Sequence, residues 1–115
     1  GENVRFALRD AENIVFLHDF ESPQMVRLRS STGQIKPAFC TAEGQCLIAH
    51  LGESELTNLL AIPRQQRTPQ TLIDETAIRD RLEMVRQNGY AVEDEESEEG
   101  TRCIAAPVRQ AAASV

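Results

Sequence analysis

The hydrophobic period changes twice along this chain, from two to about 3.6 and back to two, and that order limits the fold more than any other feature. Residues 3–9, NVRFALR, alternate Val4, Phe6 and Leu8 with polar or small neighbours, the signature of a half-buried strand. Asp10-Ala11-Glu12-Asn13 is turn-like, and Ile14-Val15-Phe16-Leu17 is a β-rich run suited to a hairpin partner that ends by Pro23. Met25, Val26 and Leu28, with Arg27 and Arg29 in alternation, predict a third strand. Thr32-Gly33-Gln34 reads as a turn, and Pro37 closes the segment.

From Thr41 the period becomes helical. Thr41 is an expected N-cap, Cys46, Leu47, His50 and Leu51 share a face, and Gly52 is the expected stop. Ser54 is expected to cap a second helix with Leu56, Leu59 and Leu60 inward, ending before Pro63. Residues 64–73 read as an extended loop. Asp74 caps a third helix whose stripe is Ile78, Leu82 and Val85, ended by Asn88-Gly89. Tyr90-Ala91-Val92 starts another strand, residues 103–108 (CIAAPV) read as a buried strand, and 112–115 as the start of one more. Strands, then helices, then strands predict an α+β fold with helices packed on an antiparallel sheet.

A chain of 115 residues with 41% hydrophobic content suits one packed domain, 1–115, and is too apolar for a disordered tail. No apolar run reaches the ~20 residues of a membrane-spanning helix. GENVRFALRD has no basic flank before an apolar stretch, so no signal peptide is expected. CIAAPVRQ and AAASV abut with no Gly, Asn or Asp between them. That predicts residues missing between Gln110 and Ala111 and beyond Val115, with a continuous bent strand as the rival reading.

The net charge of -6 sits entirely in residues 91–100, AVEDEESEEG, which carry six acids and no base. The remainder is neutral, which argues against a nucleic-acid surface on this chain. The acidic run reads first as a solvated loop. A calcium loop would space its carboxylates around a central Gly, whereas these acids are consecutive and Gly100 comes last. Three cysteines, Cys40, Cys46 and Cys103, form neither a CxxC pair nor an even framework, so reduced thiols are expected. His18 and His50 have no partner at metal-ligand spacing. No metal or cofactor is expected.

Three blocks now stand together: PAFCTAEGQCLIA at 37–49, TPQTLID at 68–74, and VRQNGYAVEDEESEEGTRCIAAPV at 85–108. In motif and spacing they resemble the effector-binding domain of the IclR family of bacterial transcription regulators, across nearly the whole chain. The sequence departs from the family pattern at Phe39 (usually His), Gln45 (usually Lys), Cys46 (usually a small residue) and Glu93 (usually Asp). The resemblance implies a GAF/profilin-like sensor domain and a homodimer or homotetramer. It also implies a winged helix-turn-helix that binds operator DNA, and helices flanking the sensor domain, all outside this sequence.

By match to the family's pocket, the effector-binding residues would be Leu28, Ala42, Glu43, Glu93, Thr101, Cys103 and Ser114. Leu28 would form an apolar wall and Ser114 would donate a hydroxyl hydrogen bond. The first turn of the helix near Ala42 would receive a small carboxylate. Each has a plainer reading. Leu28 and Cys103 suit a core, Glu43 suits a solvated first turn, and Glu93 suits the acidic loop.

The expected function is therefore sensing of a small organic or aromatic acid by a cytoplasmic transcription regulator, with no catalysis and no membrane partner. Three rivals remain at this point: a thiol redox sensor, an oligomerisation module without ligand, and a hydrolase using Cys40 or Cys103. The last lacks a recognisable histidine base in either His18 or His50.

Overall fold

Ala11-Glu12, between two β-rich runs, makes a tight turn, with Ala11 at a φ of 56°. It joins β1 (Val4–Asp10) to β2 (Asn13–Phe20) in an antiparallel hairpin. The computed structural model describes residues 4–20 and 33–108. The strand expected around Leu28 and the segment carrying Ser114 lie outside these residues. A register shift between Phe6 and Ala7 marks a bulge in β1. Ile14 and Phe16 point into the core, and Ala7 packs against it from opposite Phe16.

A short third strand, β3 (Ile35–Pro37), pairs antiparallel with β2. The sequence reading ended this segment at Pro37 without seeing the strand. Three residues are too few to show a period. The proline is tolerated at the strand's last position, where its missing N–H costs little.

Helix α1 (Ala42–Ile48) is capped by Thr41 as expected, whose Oγ1 accepts from the Gly44 N–H at 3.2 Å and donates to the Pro37 carbonyl at 2.9 Å. The helix ends at Ile48, earlier than its spacing suggested, so His50 is exposed beyond it. Its buried residues are Ala42, Gly44, Gln45, Cys46 and Ile48, nearly the whole circumference. That follows from its place, since α1 touches β1, β2, α3, β4 and β5. A helix enclosed on most sides carries no stripe to read.

Gly52 does not stop α1 and Ser54 does not cap the next helix. Gly52 is itself the N-cap of α2 (Glu53–Leu60), and Ser54 lies inside it. Leu56, Leu59 and Leu60 are buried as expected. In α3 (Glu75–Asn88), Asp74 accepts from the Ala77 N–H at 3.1 Å, Ile78, Leu82 and Val85 are buried, and Gly89 closes the helix at a φ of 82°. That positive φ is the left-handed cap that glycine accepts without a Cβ clash.

β4 (Ala91–Asp94) and β5 (Arg102–Ala105) form a second antiparallel sheet of two strands. The buried strand expected over 103–108 is shorter and half-covered. Cys103 and Ala105 turn inward, whereas Ile104 is 71% exposed and Val108 83%. The fold is thus α+β with antiparallel pairing, arranged as two sheets among the described residues. No helix among those residues is long and apolar enough to cross a membrane.

A Cβ at Gly44 would lie 2.3 Å from the Ala38 carbonyl oxygen and 2.4 Å from its Cα, both backbone atoms that cannot swing away. Gly44→Ala is therefore expected to cost about 3 kcal/mol in urea unfolding, as forced overpacking does. Gly52→Ala, at a position with open space around the missing Cβ and a φ of -64°, should cost no more than about 1 kcal/mol.

Candidate functional site

Strand alternation in β4 turns Ala91 and Glu93 inward and Val92 and Asp94 outward. Glu93 faces Cys103 across the hairpin, and Ala91 faces Ala105. This inner face meets α1, whose Cys46 thiol donates to the Ala105 carbonyl at 3.2 Å. Helix α1, whose first residue Ala42 is buried, packs against the strands that carry Glu93 and Cys103. Glu43, half-buried, follows Ala42 in the first turn. Thr101 lies at the foot of β5, where its N–H donates to Glu98 O and its carbonyl accepts from the Glu95 N–H. Leu28 and Ser114 fall outside the described residues.

The acidic run is a solvated loop only in part: Asp94, Glu98 and Glu99 are exposed, but Glu93 and Glu96 turn inward. Glu93 is 1% exposed, Glu96 6% and Ser97 3%. Glu93 Oε2 accepts from the Ser97 N–H at 3.0 Å and from its hydroxyl at 2.6 Å. Glu96 takes the Arg81 guanidinium at 2.9 Å. From the other side, the Thr68 hydroxyl donates to Glu95 O, the Thr71 hydroxyl to Glu96 O, and Arg67 Nε to Ser97 O. Glu95 holds a φ of 57°, its carboxylate accepting from the Gly100 N–H at 2.7 Å.

Sequence reading placed Thr68 and Thr71 in an extended loop and gave them no role. The signal was available, since threonines three apart around Pro69 can each offer a hydroxyl to one neighbouring strand of backbone. Gln45 was noticed only as a departure from the family. It is fully buried, and its Nε2 donates to the Phe39 carbonyl at 3.1 Å. No donor among the described residues reaches its Oε1.

The thiols bear on the rival readings. Burial pushes the Cys40 thiol up to about 12, with the Glu93 and Glu96 carboxylates adding to it against the Arg67 and Lys36 cations. Burial likewise raises the Cys46 thiol. A nucleophilic or redox-sensing cysteine needs a thiolate, so both sites oppose that chemistry.

A separate cleft of about 180 Å³ lies between the β1–β2 turn and the C-terminal end of α2. Pro37, Phe39, Leu59, Ile62 and Pro63 line it, with Glu12, Asn13, Arg64, Gln65 and Arg67 around them. It shares no residue with the expected effector site.

Residues 1–115 match the family described as bacterial transcriptional regulator IclR, C-terminal. The HTH-type transcriptional regulator KdgR of Escherichia coli (strain K12) is 33% identical over 108 residues, covering 93% of this chain and 41% of that protein. The crystal structure of the Thermotoga maritima IclR superposes with a TM-score of 0.86 at 32% identity, covering 94% of this chain and 44% of that one. The inducer-binding domain of the PobR transcription factor from Acinetobacter, a double mutant in complex with 3-hydroxybenzoic acid, gives a TM-score of 0.82 at 28% identity. It covers 89% of this chain and 61% of that one. The chain spans less than half the length of the KdgR relative.

The Cys40 environment has a measurable consequence. An unfolded thiol ionises near 9 and the folded one near 12. Across that window the unfolded state holds fewer protons, so Cys40 adds full stability below pH 9 and loses it as pH rises. Unfolding free energy should fall by about 1.4 kcal/mol per pH unit more in the wild type than in Cys40→Ala between pH 9 and 11. Urea titrations at stepped pH measure the difference.

Proposed function

The chain belongs to the IclR family of bacterial transcriptional regulators, and on that premise we propose that residues 1–115 form the effector-binding domain of such a regulator. The effector is a small organic or aromatic acid. It binds on the inner face of the β4–β5 hairpin beneath α1, at Ala42, Glu43, Glu93, Thr101 and Cys103. Leu28 and Ser114 complete the site from the segments outside the described residues.

The observation that carries this reading is the cross-strand pair of Glu93 and Cys103, facing α1 from a strand whose carboxylate is buried and fixed. Glu93 commits Oε2 to the N–H and hydroxyl of Ser97. An ionised carboxylate only accepts, so a ligand that presents an O–H to it gains a charge-assisted hydrogen bond. A hydroxylated or protonated acid meets that requirement and a bare carboxylate does not. The PobR domain captured with 3-hydroxybenzoic acid is consistent with this class of ligand. In a helix of 7 residues whose Gly44 N–H is already taken by Thr41, the dipole argument contributes little. The side chains carry the recognition.

Effector occupancy biases two arrangements of a homodimer or homotetramer. It thereby sets the spacing of winged helix-turn-helix domains that lie beyond this sequence and bind operator DNA in the cytoplasm. The hydrolase alternative loses support at Cys40, whose thiol burial keeps protonated.

The test is a thermal-shift screen of the full-length regulator against hydroxybenzoates, sugar acids, simple keto acids and neutral analogues. Binding to the native state alone raises the midpoint with ligand concentration. Hydroxylated acids should raise it in a dose-dependent way, and Cys103→Leu and Glu93→Gln should each abolish the shift. A shift that survives both substitutions, or none from any acid, rejects this site.

A further inference from the structure

The geometry points to a second ligand site: the cleft beside the end of α2 binds a small carboxylate with an apolar body. Three observations carry it. The cleft has an apolar lining, with the buried Phe39 and the outward Ile62 and Pro63 among its walls. Its rim is cationic, since two guanidinium groups, Arg64 and Arg67, stand there against one carboxylate, Glu12.

The third observation separates the two arginines. Arg64 spends its guanidinium on backbone, with Nε and Nη2 on Ile73 O at 3.1 and 2.8 Å and Nη1 on Leu60 O. It is a structural brace. Arg67 uses only Nε, on Ser97 O at 3.0 Å. That one bond tethers its guanidinium and leaves both terminal nitrogens without a hydrogen-bond partner among the described residues. A planar, tethered pair of N–H donors beside an apolar wall is suited to a carboxylate that carries a ring or short alkyl body. A volume of about 180 Å³ admits a free small acid better than a peptide segment.

The site stands independently of the effector face. The two are joined, however, by one residue: Ser97 accepts from Arg67 through its carbonyl and donates to Glu93 through its N–H and hydroxyl. Occupancy of the cleft therefore acts on the same loop that positions Glu93.

The experiment is equilibrium dialysis of the full-length protein with benzoate, and with benzamide as the uncharged isostere. It is run on the wild type, Cys103→Leu, Ile62→Glu, Arg67→Gln and the Cys103→Leu/Ile62→Glu double variant. Ile62 is 38% exposed, so Ile62→Glu sets a carboxylate at the cleft without disturbing the core. The Cys103→Leu protein should still bind benzoate saturably and bind benzamide at least about tenfold more weakly. Arg67→Gln should weaken benzoate by a similar factor, and the double variant should lose it with an unchanged thermal midpoint relative to Cys103→Leu. Three results overturn the proposal: no saturable binding to Cys103→Leu, binding to the double variant equal to that of Cys103→Leu, or benzamide binding as tightly as benzoate. Loss of all binding in Cys103→Leu alone would assign benzoate to the effector face. Binding that responds to Ile62→Glu while the effector screen fails would leave the cleft as the ligand site.

Discussion

The contact of Gly44 with the backbone of Ala38 is the constraint on which the arrangement of elements depends. At that point the first turn of α1 lies so close to the chain leaving β3 that a methyl group has no room. Thr41 reinforces the approach, with its hydroxyl linking the Pro37 carbonyl to the Gly44 N–H. Held there, a helix of only 7 residues touches both sheets and α3. Isolated helices of that length are unstable in water, so α1 exists because of what surrounds it. The inner faces of β2 and of the β4–β5 hairpin are, in turn, covered because α1 is present. Ile14, Phe16, Ile48, Ile78 and Leu82 are all almost completely enclosed in the resulting core.

A second level of order is polar. Thr68, Thr71, Arg67 and Arg81 all reach across to the acidic run, and three of these four interactions end on backbone carbonyls. Backbone acceptors position a loop irrespective of its side chains. Once the carbonyls of Glu95, Glu96 and Ser97 are held, Ser97 is placed to receive Glu93. The loop before α3 therefore acts as the template on which the acidic run is laid, and the Glu93 carboxylate inherits its orientation from it.

Most of the fold was legible in the sequence, and the failures share a physical origin. Residues with one buried face announce themselves through periodicity, as Ile78, Leu82 and Val85 did, and local chemistry marked the caps Thr41, Asp74 and Gly89. Where an element is too short or too enclosed to show a period, the reading slipped, as at β3 and at the end of α1. Gly52 illustrates a true ambiguity, because glycine serves helix starts and helix ends alike. The acidic run misled for a different reason. Consecutive charges suggest water, yet partners 15 to 30 residues away in sequence draw Glu96 and Ser97 inward. No local window contains that information. Of the proposed site, the family resemblance supplied Glu93 and Cys103, and the topology makes them cross-strand neighbours. The threonines that hold the acidic loop left only their spacing around Pro69 as a local signal, and their acceptors, 25 and 27 residues away, became visible in the folded chain.

The acidic decade also divides in its response to ionic strength. Asp94 with Arg102 and Glu98 with Lys36 are partly exposed ion pairs, and mobile salt screens such pairs within roughly 8 Å at physiological concentration. The Thr68, Thr71 and Ser97 hydrogen bonds are short-range and shielded from mobile ions. Brine would thus loosen the rim of the loop and spare its interior. Part of the decade's charge is neutralised where it stands by Arg81, Lys36 and Arg102, while the net charge of -6 is unchanged. The shape of the Glu93 environment is thus decoupled from the electrolyte around it.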